Sequence, residues 1–242
     1  MRAEIHCSTS SHCRVPSGKD TGDELFVRTF LFFIALYLTI NFVDRAVAVV
    51  ASGPLSRHML GHIALMNLVA PLAALALIRG KWVPTALPFA ALAAATALQL
   101  LLLWGWHAPP VLTASLERPI IHFLASATLS ISALWFWLAV FTISGARRWE
   151  AIAALLITGK LFCLLGALLI FAPRTLYVCA ATSICAPGVP ASLDDQQMAG
   201  VLMVVACPLT YVTAGVIIAA RWLFELSQRE PTAIPRAREV EA

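Results

Sequence analysis

The chain has 242 residues, of which 60% are apolar and only 12% carry a charge. A soluble domain of this length has about half apolar and a quarter charged residues, so this composition excludes an ordinary soluble protein and indicates an integral membrane protein. The net charge of +4 is small and the basic residues fall between apolar runs. That distribution argues against nucleic-acid binding, which needs a concentrated basic surface.

The N-terminal stretch, residues 1–25, is polar and mixed in charge, with Asp20, Asp23 and Glu24 directly before the first apolar run. A cleaved signal peptide would begin with a short basic segment and end at a nearby small-residue site. The stretch does not follow this arrangement. We therefore expect a polar tail, followed by an apolar run that is retained as a membrane span.

The apolar residues form six runs, each long enough to cross a hydrocarbon core about 30 Å thick as a helix of about 20 residues. Because a backbone within lipid must satisfy its own hydrogen bonds, each run is predicted to be helical. The fold class is therefore all-α, a polytopic membrane bundle of about six transmembrane helices occupying residues 26–224, with a second polar tail at 225–242. The predicted spans are 26–43, 58–78, 84–105, 120–143, 149–171 and 198–224.

The end of the first span is less regular. Asp44 and Arg45 end the apolar run abruptly, and the apolar segment that follows, residues 46–53, is too short to cross a bilayer. This segment either lies at the membrane interface or extends the first helix.

Positive loops stay on the cytoplasmic side of a membrane, so Lys and Arg counts predict orientation. Each tail together with the adjoining end of its span carries four such residues (Arg2, Arg14, Lys19 and Arg28 at the N-terminus; Arg221, Arg229, Arg236 and Arg238 at the C-terminus). Loops two and four carry two each, against four in all in loops one, three and five. Both termini are therefore predicted to be cytoplasmic, with loops one, three and five outside.

All four histidines near the membrane fall on that outer side. His58 and His62 open the second span, His107 lies in loop three and His122 opens the fourth span. Residues four apart share a helix face and are about 6 Å apart along the axis, so His58 and His62 form a plausible ligand pair. Met66 continues the same stripe one turn deeper.

Imidazole together with thioether suits copper, and a carboxylate would broaden the choice of metal. Asp194 and Asp195 supply carboxylates where loop five enters the sixth span. Each residue alone has a structural explanation: histidines are common at membrane ends, Met66 fills space, and carboxylates favour a helix N-terminus. Their convergence at one level predicts a metal or cofactor site formed by His58, His62, His107, His122 and Asp195.

Lys160 falls near the middle of the fifth span, with no acidic residue at that depth. A buried, unpaired ammonium is costly and by default indicates function. It meets an anionic ligand, lines a water-filled cavity or loses its proton, unless the span is misregistered and the side chain reaches the interface.

The six cysteines divide into three pairs. Cys7 and Cys13 follow His6 and His12 in the N-terminal tail, where the spacing fits no standard zinc pattern and favours an irregular tail. Cys179 and Cys185 share outer loop five, and we favour a disulfide over a copper-binding thiolate pair. The remaining pair, within spans and interpreted as small apolar residues, is Cys163 and Cys207.

Five blocks of sequence resemble the caa3-type CtaG family of cytochrome c oxidase assembly proteins. They are HMLGH at 58–62 with Ala-Pro at 70–71, WHAP at 106–109, PIIH at 119–122, DQQMAG at 195–200, and the segment 165–177. The resemblance implies a multi-pass bacterial inner-membrane protein that helps to build haem–copper oxidases by handling copper. Its partners would be oxidase subunits or periplasmic copper chaperones.

The resemblance also places the family's polar motif positions at His58, His62, His107, His122 and Asp195. One departure concerns the position four residues after the fourth-span histidine, where many members carry a second histidine and this chain has Ser126. A site with two complete His-x-x-x-His pairs is therefore not expected.

These residues are compatible with three functions. The leading one is an assembly factor that holds or transfers copper at the outer face. The second is a membrane metalloenzyme or redox protein using the same residues, with haem ranked lower because stacked haems need histidines at two depths. A transporter needs polar groups through the full depth, where the sequence offers little besides Lys160 and Thr158. No phosphate loop or nucleophile motif is present, so enzymatic activity is undecided and not favoured.

Overall fold

The computed structural model describes residues 18–51, 53–82, 89–177 and 192–229. Within these ranges the regular structure is entirely helical, which confirms the predicted all-α class. By internal contacts the chain divides into two units, residues 1–38 and 39–242. The helices are α1 (Gly18–Val50), α2 (Pro54–Ile63), α3 (Ala70–Arg79), α4 (Phe89–Trp106), α5 (Pro109–Glu117), α6 (Pro119–Thr142), α7 (Arg148–Phe171) and α8 (Leu193–Arg229).

Five helical stretches in the described part of the chain are long and apolar enough to cross a membrane. The pair α4–α5, bent by 75° at its break, would supply a sixth span if counted as one. The prediction of about six membrane helices is confirmed on this basis. The five stretches are Thr29–Val50, Pro54–Arg79, Pro119–Thr142, Gly145–Phe171 and Leu193–Gln228.

The alternative that the apolar segment after Arg45 extends the first helix is confirmed as far as Val50. Helix α1 continues through Asp44 and Arg45 to Val50, so the apolar segment after them extends the helix. The physical reason is that neither residue breaks a helix, and the next strong breakers are Gly53 and Pro54. The continuation places the Asp44 carboxylate on a rigid helix.

The second span is not a uniform α-helix. Between α2 and α3, residues Ala64–Val69 form a wider π-helical segment. Such segments are rare and occur often at functional sites, and this one begins two residues after His62. The indole Nε1 of Trp137 donates a hydrogen bond of 3.0 Å to the backbone oxygen of Met66 within the segment, which anchors α6 against it.

The core of the second unit contains an aromatic and amide cluster. Trp137 on α6 stacks on Tyr211 of α8, with ring centroids 5.5 Å apart and an interplanar angle of 12°. The Tyr211 hydroxyl accepts a 3.0 Å hydrogen bond from Nε2 of Gln99 on α4. These contacts join three helices, and the hydrogen bond offsets part of the cost of burying both polar groups.

Helices α7 and α8 approach each other at two glycines. A Cβ placed on Gly200 would lie 2.6 Å from the backbone oxygen of Gly166, and a Cβ on Gly166 would lie 2.9 Å from the backbone oxygen of Gly200. Small residues allow membrane helices to pack backbone against backbone, and that packing takes the place of a hydrophobic driving force between them. This contact holds the start of α8 against the end of α7.

Candidate functional site

Helix α2 presents His58, Met59 and His62 on one buried face. Gly53 and Pro54 begin the helix, and the three side chains are only 5%, 1% and 5% exposed. The four-residue spacing brings Nε2 of His58 and Nε2 of His62 to 2.9 Å from each other. The predicted ligand pair is therefore formed by two imidazoles in contact.

His107 lies at the bend between α4 and α5 and is 3% exposed. Its Nδ1 is 2.6 Å from the backbone oxygen of Leu103 and, because a carbonyl only accepts, Nδ1 carries the proton in this bond. The backbone oxygen of His107 accepts a 2.9 Å hydrogen bond from the Tyr177 hydroxyl. Nε2 points to the sulfur of Met59 at 3.3 Å. Both the ring and the backbone of His107 are thus held in place.

His122 lies in the first turn of α6, which begins at Pro119. Its Nε2 is 3.2 Å from Oδ2 of Asp44 on α1. The two side chains are 21% and 38% exposed, so this pair forms the accessible edge of the site.

The four histidines predicted from the sequence come together in one cluster, which we call the histidine cluster (His58, His62, His107 and His122). The ring centroid of His58 lies 4.3 Å from that of His62, 5.3 Å from that of His122 and 6.1 Å from that of His107. The centroids of His62 and His107 are 5.8 Å apart. The cluster joins α2 and the N-terminal end of α6 to the bend after α4.

Asp195 makes its contacts elsewhere. Its carboxylate accepts hydrogen bonds from the backbone N–H groups of Leu55 at 2.8 Å and Ser56 at 3.1 Å, and it also pairs with the Ser56 hydroxyl. A Cβ on Gly53 would collide with this carboxylate, so a glycine is needed there. Asp195 therefore caps the helix that carries His58 and His62, and its predicted role as a metal ligand stays a prediction.

Sequence reasoning missed three residues that contact the histidines: Asp44, Met59 and Tyr177. Asp44 offered a signal, because an ionisable residue inside an apolar run is by default a functional candidate. Met59 lies between the two histidines of the His-x-x-x-His pair. Tyr177 gave no local signal, since its partner is 70 residues away in the chain.

The other residues singled out in the sequence lie apart from the cluster contacts. Met66 is 1% exposed and contacts the core, Ser126 is buried in α6, and Lys160 is exposed on α7, where it lines a cavity of about 70 Å³ beside Cys163 and Pro208. Cys163 and Cys207 are free thiols. The tail residues His6, Cys7, His12 and Cys13 and the loop residues Cys179 and Cys185 lie outside the described residues.

The donor chemistry of the histidine cluster and the neighbouring Met59 suits a soft or intermediate metal ion, since it combines imidazole nitrogens with a thioether. As the side chains stand, no group of three or more His, Cys, Asp or Glu residues in the described ranges is arranged to hold a metal ion. The Nδ1 atoms of His58, His62 and His122 are buried without a hydrogen-bond partner. Nδ1 of His107, by contrast, is hydrogen-bonded to the backbone oxygen of Leu103.

Tyr177 allows a direct check on how His107 is held. Burial raises the pKa of Tyr177 from 10.0 to about 12, so its hydroxyl stays protonated at neutral pH and donates to His107. We expect Tyr177→Phe to lower the free energy of unfolding by about 1 kcal/mol, the typical loss for one hydrogen bond. Unfolding in detergent, followed by circular dichroism, measures this difference.

The difference is expected to be constant from about pH 6 to pH 9. Because the folded-state pKa is the higher one, the stabilisation is complete below the unfolded value and is lost as pH rises through about 12. A difference that already changes near pH 7 would contradict this assignment of the hydrogen bond.

The fold and the cluster together define a class: a multi-pass helical membrane protein with buried imidazoles gathered at one end of its helices. Comparison with known families identifies the chain within that class. The model of the cytochrome c oxidase caa3 assembly factor family (Caa3_CtaG) matches residues 16–225, and the chain belongs to this family. No curated protein and no solved structure gives a match.

Membership confirms the resemblance seen in the sequence blocks and indicates a factor for assembly of caa3-type cytochrome c oxidase. The cellular partners of such a factor are components of the oxidase. The several apolar helices agree with a multi-pass membrane protein.

Proposed function

We propose that this chain assembles a haem–copper oxidase by holding copper at the histidine cluster and passing it on. The single observation that carries the proposal is the contact of four imidazoles, three of them at most 5% exposed, at the meeting point of α2, α4 and α6. Buried polar side chains that are only partly hydrogen-bonded are costly, so a cluster of them needs a function. A bound copper ion would accept lone pairs from these rings.

The accessible edge formed by His122 and Asp44 supports transfer over permanent storage. An ion held by His58, His62 and His107 would reach solvent past His122, whose side chain is 21% exposed. Asp44 carries negative charge beside that route and would attract a cation. A site that does not enclose its ion allows a partner protein to take it.

We place the cluster on the periplasmic face of a bacterial inner membrane, with both chain termini in the cytoplasm. The support is the distribution of Lys and Arg, which favours the tails and loops two and four. A haem-binding redox protein is the alternative. It is less well supported, because the four rings contact one another and leave no flat slot for a macrocycle between them.

The test is the copper content of purified protein from cells grown with ample copper. We expect the double variant His58→Ala/His62→Ala to lose copper by about tenfold or more, since even supporting contacts change metal affinity that much. The matched control, His6→Ala/His12→Ala, also removes two histidines but leaves the cluster intact, and should keep its copper.

Equal copper in the wild type and the cluster variant would overturn the proposal, as would a Soret band in protein expressed with ample haem. The variant His58→Phe keeps an aromatic ring in the core but has no nitrogen to bind copper. Loss of copper in folded His58→Phe protein would therefore reflect loss of a ligand and not loss of the fold. Oxidase activity of cells that carry each variant in place of the wild type then connects copper binding to assembly.

A further inference from the structure

Nε2 of His107 and the sulfur of Met59 lie 3.3 Å apart in the interior of the protein. The two residues are 3% and 1% exposed, so water does not reach the contact freely. Met59 lies on α2 and His107 at the bend after α4, and the two are separated by 48 residues in the chain. The contact is therefore a product of the fold and not of local geometry.

The hydrogen-bond pattern of His107 determines what these two atoms can do. The proton of the neutral imidazole is on Nδ1, where it is donated to the backbone oxygen of Leu103. Nε2 then carries a lone pair, and the thioether of Met59 has no proton to offer it. Two electron-pair donors face each other with no hydrogen between them.

Such a pair is complementary to a cation that accepts electrons from both atoms. Nitrogen and thioether sulfur together suit a soft ion, and a thioether contributes little to binding harder divalent ions. The position of His107 is fixed on both sides, by Leu103 at the ring and by Tyr177 at the backbone, so its Nε2 is presented before any ion arrives. Preorganised donors lose less entropy on binding.

We propose that Met59 is a copper ligand acting with His107, and that this pair makes the histidine cluster selective for cuprous copper over cupric copper and zinc. The inference rests on the proposed function, since it concerns the same site. It adds a ligand that is not a histidine or carboxylate and specifies the oxidation state of the cargo. Copper would enter and leave as Cu(I), so no electron transfer is required of the chain.

The variant Met59→Leu removes the sulfur and nearly conserves volume, a change that buried cores tolerate well. The matched control is Met66→Leu, which deletes another buried thioether from the same span. The backbone oxygen of Met66 accepts a hydrogen bond from Trp137, and this bond does not depend on the side chain. Affinity for Cu(I) is measured without oxygen by competition with bicinchoninate, and affinities for Cu(II) and Zn(II) are measured on the same preparations.

We expect Met59→Leu to weaken Cu(I) binding by about tenfold or more and to leave Zn(II) and Cu(II) binding unchanged. Met66→Leu should bind all three ions as the wild type does. X-ray absorption of the Cu(I)-loaded wild type should contain a sulfur neighbour that is absent in Met59→Leu. This spectroscopic readout does not depend on oxidase activity.

The two proposals fail in different ways. If the wild type binds no copper at the histidine cluster, the proposed function fails. If the wild type binds copper there and Met59→Leu binds Cu(I) equally well with an unchanged absorption spectrum, only the role of Met59 fails. Equal loss of Cu(I), Cu(II) and Zn(II) binding in Met59→Leu would also overturn the selectivity, because it would indicate a general disturbance of the site.

Discussion

Replacement of Gly200 by valine is expected to prevent stable packing of α7 against α8 and to abolish accumulation of folded protein in the membrane. A Cβ at this position would lie 2.6 Å from the backbone oxygen of Gly166 and 2.8 Å from a side-chain carbon of Ile170. The nearest obstacle is backbone, which cannot rotate away as a side chain would. The helices must therefore separate, and they lose the close packing on which membrane helix association depends.

The milder variant Gly200→Ala should lower the free energy of unfolding by about 1–3 kcal/mol, the usual range for overpacking. Gly105→Ala is the matched control, because a Cβ at Gly105 meets nothing within 4 Å. Alanine is favoured over glycine within a helix, so this control should be stabilised by about 0.5–1 kcal/mol. Similar unfolding curves for the two alanine variants would contradict the close approach of α7 and α8.

The second large effect is expected from Asp195→Ala. Its carboxylate accepts hydrogen bonds from two backbone N–H groups and one hydroxyl at the start of α2, on Leu55 and Ser56. Each partly buried donor left without an acceptor costs about 1–3 kcal/mol. We expect a loss of about 3 kcal/mol in the free energy of unfolding, measured by denaturation in detergent.

Asp194→Ala is the control for this experiment. Asp194 is the neighbouring carboxylate at the start of α8 and is exposed, so its removal should change stability by less than about 1 kcal/mol. Equal stability of the two variants would argue against the cap on α2.

The Asp195 variant also separates the two roles considered for this residue. If Asp195 acts by holding α2, folded Asp195→Ala protein should keep the copper bound by His58, His62 and His107. If the carboxylate is itself a ligand, copper affinity should fall in protein that is otherwise well folded. The ratio of copper to folded protein distinguishes these outcomes.

The amino-acid sequence by itself determined the membrane helices and the His58–His62 half of the histidine cluster. Long apolar runs admit few structures in lipid other than helices, because every backbone group must be hydrogen-bonded within its own segment. The pairing of His58 with His62 is equally local, since a spacing of four residues fixes a shared face on any helix. Helix ends were less well determined: Asp44 suggested a break, yet nothing at that point opposes a helix before Gly53.

Only the tertiary structure decided which distant residues meet. Asp195 lies 140 residues from Leu55 and could have faced the histidines, but the fold aligns it with the unpaired N–H groups at the start of α2. The fold also brings His107 and His122 into the cluster. There His122 contacts Asp44, which is 78 residues away in the chain, and His107 contacts Met59. Periodicity describes one helix at a time, whereas these contacts depend on how helices are packed together. For that reason the sequence predicted the four histidines of the site. The fold supplied the Met59 thioether, the Asp44 carboxylate and the cap that Asp195 places on α2.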